Sequence, residues 1–210
     1  MAIESPAALL DRFNVSRESR VPLETYVAML LTWQRCINLI GPSTVDHIWQ
    51  RHVADALQLV PLMNPRARTV ADLGSGAGIP GLIIAIVTGD HAHLYESNGK
   101  KAAFLREAIR HTKVQATVHQ TRIETLRDDP VRPAVDVVLA RALAPLTELL
   151  DYAAPFMDAG ATGLFHKGKE VEAELTAAAQ YWNLLYEKHP SMTDSRAVIL
   201  EVKEARRVRL

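Results

Sequence analysis

The chain has 210 residues, of which 48% are apolar and 23% charged, and its 24 basic and 24 acidic residues give a formal net charge of zero. This composition is typical of a soluble protein with one sizeable core, and it excludes a globally basic nucleic-acid binder, so any basic surface has to be local. The single cysteine, Cys36, excludes an internal disulfide and a zinc site with two or more thiolate ligands.

No segment approaches about 18 uninterrupted apolar residues, and the first residues lack a positive region followed by an apolar core. The eight histidines show no metal-ligating spacing. We therefore expect a cytoplasmic protein, neither exported nor membrane-spanning, that acts as a monomer and without a metal ion.

Helical patterns fill residues 1–65, which we interpret as an N-terminal cap. Helices are expected from Ala7 to Phe13, from Leu23 to Leu39 and from Val45 to Leu59, with Pro22 in the first turn of the second helix. Apolar residues recur at helical spacing in that second helix, which predicts a face packed on a neighbouring domain.

Residues 66–210 alternate between short strands and helices, a pattern typical of a mostly parallel sheet with helices on both faces. The last two strands follow each other without a helix and should pair antiparallel. The strands are expected at residues 69–73, 91–95, 114–118, 135–140, 163–166, 184–188 and 196–202. The predicted fold is therefore α/β: a Rossmann-like seven-stranded sheet with an antiparallel C-terminal hairpin, as in S-adenosylmethionine-dependent methyltransferases.

Five of the ten glycines lie between Gly74 and Gly89, and the run Asp72-Leu73-Gly74-Ser75-Gly76-Ala77-Gly78 joins the first strand to a helix. Because glycine has no side chain, the backbone can bend sharply there and approach a ligand closely. This run fits two classes of nucleotide-binding site. Besides the methyl-donor loop, Gly76-Ala77-Gly78-Ile79-Pro80-Gly81 satisfies the dinucleotide spacing G-x-G-x-x-G, and Glu96 follows Gly76 by 20 residues.

Three features favour the methyl donor S-adenosylmethionine over a dinucleotide. A carboxylate at Asp72 orders the loop or meets a cationic ligand but repels a pyrophosphate, and Pro80 donates no N–H to an anion. A hydride-transfer enzyme also needs a substrate domain, for which only about 65 residues precede the sheet. An NAD-dependent oxidoreductase stays as the alternative.

Further cofactor contacts are expected where the next strands end. Glu96 ends the second strand, where a carboxylate accepts hydrogen bonds from ribose hydroxyls in either family. After the third strand, Ile123 and Glu124 are placed to reach the adenine, with a solvated helix start as the alternative. Arg141 ends the fourth strand, where it either meets the target base or forms a salt bridge with Asp72 or Glu124.

At these residues the chain resembles the RsmG (GidB) methyltransferases, which methylate N7 of one guanine in bacterial 16S ribosomal RNA. The likeness covers most of the chain. It rests on Asn38-Leu39, Arg51-His52 with Asp55, the run from Asp72 to Gly81, Glu96-Ser97 with Lys100-Lys101, Phe104-Leu105, Arg122 with Glu124, Arg141-Ala142 and Lys167-Gly168. The chain departs from the family's pattern at Gln34, Ile40 and Gly99.

The resemblance implies a role for each matching residue. The family's cofactor contacts fall on Gly74, Ile79, Ile123, Glu124 and Arg141, beside Asp72, Gly76 and Gly78 of the glycine run and Glu96 at the end of the second strand. Arg141 is the expected catalytic residue. The partner is 16S rRNA or the 30S subunit, and RNA contacts are expected at Arg51, His52, Lys100, Lys101 and Lys167.

Guanine N7 carries an in-plane lone pair, so methyl transfer needs no general base, and the sequence offers no convincing one. Three other functions stay open: methylation of another RNA or of a small molecule, an oxidoreductase on the dinucleotide motif, and a non-catalytic ribosome assembly factor.

Overall fold

A computed structural model describes residues 4–128 and 132–208 of the chain. Seven α-helices and seven strands, joined by 3₁₀ and π turns, make up the described part. They are α1 Pro6–Arg12, α2 Arg17–Gln34, α3 Ala54–Leu57, β1 Thr69–Leu73, α4 Gly81–Thr88, β2 His91–Tyr95, α5 Gly99–Thr112, β3 Ala116–His119, β4 Val137–Arg141, α6 Leu146–Met157, β5 Thr162–Lys167, α7 Val171–Ala178, β6 Trp182–Pro190 and β7 Val198–Arg207.

The strands form one sheet in the order β3-β2-β1-β4-β5-β7-β6. Strands β1 to β5 are parallel to one another, and β7 pairs antiparallel with both β5 and β6. The predicted seven-stranded sheet and its antiparallel hairpin are confirmed. Strand order reverses at β1 and β4, and the loops after these two strands flank the crevice in which open α/β sheets bind ligands.

Each face of the sheet has its own core. One core joins residues of the cap helices to α4, α5 and the strands, and the other joins α6 and α7 to the opposite face. Helix α4, GLIIAIVT, is apolar almost all round because α2 and α3 cover its outer side while β1 and β2 cover its inner side. The cap is therefore part of the core that fixes the glycine loop.

The cap helices differ from the sequence prediction at both ends of α2 and in the segment after it. Helix α2 ends at Gln34, five residues before the predicted Leu39. Helix α2 begins at Arg17, because the Ser16 side chain accepts the N–H of Ser19, and Pro22 lies inside the helix instead of opening it. The expected helix from Val45 to Leu59 is a succession of a 3₁₀ turn, Pro42–His47, a π turn, Trp49–Val53, and α3. Periodicity alone does not distinguish these helix types.

Helix α2, with 18 residues, is the longest in the described part of the chain. None of the described helices combines the length and apolar character needed to cross a membrane.

Candidate functional site

The loop between β1 and α4 has the geometry of a ligand cradle. Gly74, Gly76 and Gly78 have φ angles of 70°, 56° and 83°, in the left-handed region that favours glycine. A Cβ added to Gly74 would lie 2.6 Å from Cδ1 of Leu143, and one on Gly78 would lie 2.8 Å from Cβ of Leu82. All three positions therefore favour glycine for their backbone conformation, and Gly78 also requires it for its packing against Leu82.

Asp72, at the end of β1, orders this loop from behind. Its side chain is buried, and its Oδ2 accepts the N–H of Gly81 at 3.0 Å. Its Oδ1 has no hydrogen-bond partner within residues 4–128 and 132–208. Burial raises the pKa of Asp72 to about 7. Of the two predicted roles, the geometry supplies the loop-ordering one.

Glu96, at the end of β2, holds the glycine loop from the side. Its Oε2 accepts the N–H of Gly76 at 2.9 Å and its Oε1 accepts the N–H of Asn98 at 2.7 Å. The N–H of Ser75 also donates to the Tyr95 carbonyl at 2.9 Å. Each oxygen of the Glu96 carboxylate is therefore held by one backbone N–H, and its ribose contact stays a prediction.

A cavity of about 380 Å³ opens between the glycine loop and the cap. Its lining comes from five parts of the chain: the turn after α2, the π turn of the cap, the loop after β1, the first turn of α5 and the end of β4. The lining residues are Leu39, Ile40, Gly41, Thr44, His52, Gly74, Ser75, Gly76, Ala77, Ile79, Lys101, Arg141 and Ala142. The volume falls in the usual range for a small-ligand site, and the glycine backbone, unshielded by side chains, fits a nucleoside such as S-adenosylmethionine.

Two hydrogen-bond clusters fix the cap side of this cavity. The Tyr26 hydroxyl on α2 donates to the Ala77 carbonyl of the glycine loop at 2.7 Å. The Gln34 side chain accepts the N–H groups of Leu39 and Ile40 at 2.8 and 2.9 Å and donates to the Ile40 carbonyl at 2.9 Å. Gln34, where the sequence departs from the pattern of the family it resembles, therefore orders the cavity wall.

Arg141 joins the end of β4 to the cap. Its Nε donates to Oδ2 of Asp55 at 2.7 Å, its Nη2 to the Arg51 carbonyl at 3.0 Å, and its Nη1 lies 3.0 Å from Nδ1 of His52. Arg141 does form a salt bridge, but the predicted partner, Asp72 or Glu124, is wrong. Tertiary packing brings the cap carboxylate Asp55 to the guanidinium instead. Arg141 also lines the cavity, and its catalytic role stays a prediction.

The hydrogen bonds of His52 determine which of its two ring nitrogens carries the hydrogen. A guanidinium only donates hydrogen bonds, so Nδ1 of His52 accepts from Arg141 and Nε2 carries the hydrogen, which it donates to Thr44 Oγ1 at 2.7 Å. Burial and the Arg141 charge lower the pKa of His52 to about 4. A neutral, buried imidazole does not fit the predicted phosphate contact at His52, and sequence alone gave no sign of its burial.

The other predicted RNA contacts differ in exposure. Lys100 is exposed and Lys101 half-buried at the cavity edge, while Arg51 is half-buried beside Asp194, with Nη1 3.8 Å from Oδ2. Lys167 is only 6% exposed and donates to Glu174 at 2.6 Å. A phosphate contact at Lys167 therefore does not fit the structure, because the ammonium is turned into the protein and already paired.

Ile123 and Glu124 lie in a 3₁₀ turn, Ile123–Asp128, on the side of the sheet that carries α6. Ile123 is half-buried against that face's core, and Glu124 is exposed. Neither lines the cavity described above. The adenine contact predicted for them stays a prediction.

Sequence reasoning missed several residues of the site. Gly41 and Thr44 carry no motif that distinguishes them, and Ser75 and Ala77 lie in the glycine run but were not predicted as contacts. Asp55 and Ala142 occur in the matching segments quoted above, but only the structure gives Asp55 its partner. Within the described residues, one group has the spacing of a cation site: Glu187 and His189 on β6 with Glu201 on β7.

Comparison with known proteins identifies the family. Residues 20–202 match the family described as rRNA small subunit methyltransferase G (GidB). The ribosomal RNA small subunit methyltransferase G of Methylorubrum populi is 48% identical over 99% of both chains. That of Paramagnetospirillum magneticum is 46% identical over 97% of this chain and 98% of its own.

Solved structures share the fold at low sequence identity. M. jannaschii TYW2 in complex with AdoMet is 15% identical, with a TM-score of 0.56 over 83% of this chain and 80% of that one. A ribosomal protein L11 methylase from Lactobacillus delbrueckii subsp. bulgaricus is 16% identical, with a TM-score of 0.53 over 73% and 78%. These neighbours establish the Rossmann-like sheet, and the full-length relatives establish more: the chain belongs to the rRNA small subunit methyltransferase G family.

Proposed function

We propose that this chain transfers the methyl group of S-adenosylmethionine to N7 of one guanine in the 16S rRNA of the small ribosomal subunit. The observation that carries the proposal is a glycine cradle at the strand-order reversal of a methyltransferase sheet, in a chain that matches this family over residues 20–202. The acceptor atom follows from the family resemblance, and the cradle supports the donor.

The donor, when bound, supplies an electrophilic methyl carbon. Asp72, Gly74, Gly76, Gly78, Ile79 and Glu96 form or order the cradle that would hold it. The described cavity holds no general base, since His52 is buried and committed to Arg141. N7 needs none, so catalysis rests on placement, and such orientation can contribute about 7–11 kcal/mol.

We propose the following about partners and organisation. The chain acts as a monomer in the cytoplasm, without a metal ion, on 16S rRNA or the 30S subunit. Residues 1–65 are a helical cap and residues 66–210 the methyltransferase domain. Lys100, Lys101 and Arg51 contact RNA phosphates, and Arg141 meets the target guanine, while Ile123 and Glu124 contact the adenine.

The test is methyl transfer from labelled S-adenosylmethionine to 16S RNA and to 30S particles from a strain that lacks this gene. We expect a single 7-methylguanine after digestion. The control is Gly74→Asp, which places a charged side chain against Leu143 and should abolish donor binding in calorimetry.

Donor binding without transfer to either substrate would contradict the assignment of 16S rRNA as the acceptor. Another RNA or a small molecule would then be the acceptor to test. Transfer to 30S particles alone would show that the folded subunit is the substrate. Absence of donor binding by the unaltered chain would contradict the cofactor assignment as well.

A further inference from the structure

A second cavity of about 360 Å³ lies beside the first, at the carboxyl ends of β4 and β5. The two cavities share Ala142 as a lining residue. Ala142 has a φ of 51°, and left-handed backbone in a residue other than glycine concentrates at functional sites. Open α/β sheets bind ligands beyond the carboxyl ends of their strands. The second cavity is thus placed to hold an acceptor next to the bound donor.

One carboxylate lines this second cavity, that of Glu174 on α7. Its Oε2 accepts hydrogen bonds from Nζ of Lys167 and from the N–H of Leu146, both at 2.6 Å. Lys167 also donates to the Ala144 carbonyl at 2.9 Å. These bonds fix the segment between β4 and α6, and they use only one of the two carboxylate oxygens.

The second oxygen, Oε1 of Glu174, has no hydrogen-bond partner among residues 4–128 and 132–208. The side chain is 24% exposed, and Oε1 is not one of the buried oxygens that lack a partner, so it is accessible to a ligand while Oε2 is held. A carboxylate accepts hydrogen bonds and donates none. The cavity therefore suits a ligand that presents N–H donors.

We propose that Oε1 of Glu174 accepts hydrogen bonds from N1–H and the 2-amino group of the guanine that is methylated. This inference rests on the proposed function. N7 belongs to the opposite edge of the purine from these donors, so a base with its Watson–Crick edge at Glu174 turns N7 toward Ala142 and the first cavity. Adenine lacks both donors, which gives the site a means of selecting guanine.

The same contact favours the reaction itself. The N7 lone pair forms a bond to the methyl carbon while the carbon–sulfur bond breaks and its electron pair returns to sulfur. Positive charge passes to the guanine and spreads over its rings, which makes N1–H a stronger donor, and no proton leaves N1. A fixed carboxylate at that edge binds the transition state more tightly than the ground state.

The test compares Glu174→Gln with Glu172→Gln, a matched control on the same helix that is exposed, paired with Lys188 and absent from the cavity lining. Glutamine keeps one oxygen for Lys167 and Leu146 but replaces Oε1 by an N–H donor. A hydrogen bond to a charged group contributes more free energy than one between neutral groups. We therefore expect the single-turnover rate on 30S particles to fall about tenfold to a hundredfold in Glu174→Gln and to stay unchanged in Glu172→Gln. Donor affinity, measured by calorimetry, should be unchanged in both variants.

A second measurement uses 30S particles reconstituted with inosine at the methylated position, which lacks the 2-amino group. The unaltered chain should methylate inosine more slowly than guanine, and Glu174→Gln should lose that preference. Equal rates on the two bases in the unaltered chain would overturn the inference. So would a Glu174→Gln variant that is slower on both bases by the same factor and less stable, because a merely structural role predicts that result.

The proposed function fails in a different way. If the unaltered chain binds the donor but methylates neither guanine in 16S RNA nor guanine in 30S particles, the acceptor is wrong and the role of Glu174 falls with it. If it methylates guanine N7 and Glu174→Gln is as fast, only the role of Glu174 is overturned.

Discussion

Gly74 and Gly89 have similar left-handed backbone, with φ of 70° and 77°, but different surroundings. A Cβ on Gly74 would lie 2.6 Å from Leu143, whereas a Cβ on Gly89 would meet nothing within 4 Å. We predict that Gly74→Ala and Gly89→Ala each lower the free energy of unfolding by about 1–2 kcal/mol through backbone strain. Only Gly74→Ala should weaken binding of S-adenosylmethionine in calorimetry; equal affinity in the two variants would contradict a cradle at Gly74.

Asp72 gives the protein a dependence of stability on pH. Because burial raises its pKa from 3.8 to about 7, the native state holds a proton that the unfolded state has lost between about pH 4 and 7. Its contribution to stability is present below pH 4 and is lost as the pH rises through 7, by at most about 1.4 kcal/mol per pH unit.

The variant Asp72→Asn keeps an oxygen for the N–H of Gly81 and does not titrate. Urea unfolding at pH 4, 5.5 and 7 should therefore show the unaltered chain losing stability relative to Asp72→Asn as the pH rises. Parallel curves for the two proteins would mean that Asp72 titrates normally.

At the scale of elements, Arg141 ties β4 to the cap through Asp55, whose side chain is 10% exposed. We predict that Arg141→Met lowers the free energy of unfolding by about 3 kcal/mol, because it removes the cationic partner of the buried Asp55 carboxylate and leaves it the neutral donors Gln58 and Thr193. Adding Asp55→Asn should restore part of that loss, and a double-mutant cycle measures the coupling.

The exposed pair Arg110 and Glu107, with atoms 2.5 Å apart, is the control for this cycle. Its disruption by Arg110→Met should leave stability unchanged within error. Additive effects of Arg141→Met and Asp55→Asn would contradict coupling between β4 and the cap.

At the scale of the whole molecule, the cap and the sheet share one core. Tyr26 and Trp33 of α2 pack on Phe104 of α5, with ring centroids 6.3 and 5.7 Å apart. We predict that the fragment 66–210 exposes this apolar surface, binds a hydrophobic dye and unfolds without cooperativity, unlike the full chain. A soluble fragment with a sharp thermal transition would contradict the shared core and show that the cap is separable.

The sequence by itself determined the sheet and the glycine loop of the candidate cofactor site. Alternation of strands and helices predicted all seven strands, and the hairpin followed from two strands without a helix between them. Three glycines between a strand and a helix predicted a backbone cradle, since φ above zero is favourable only without a Cβ. These features are local along the chain, so local pattern was sufficient.

Tertiary structure alone decided the state of the charged residues. The family resemblance implied RNA contacts at His52 and Lys167, yet one is a buried neutral imidazole and the other a buried ammonium paired with Glu174. Arg141 met Asp55, 86 residues away. The physical reason is that burial and ion pairing depend on which distant segments pack together, and a spacing rule along the chain contains no information about such contacts.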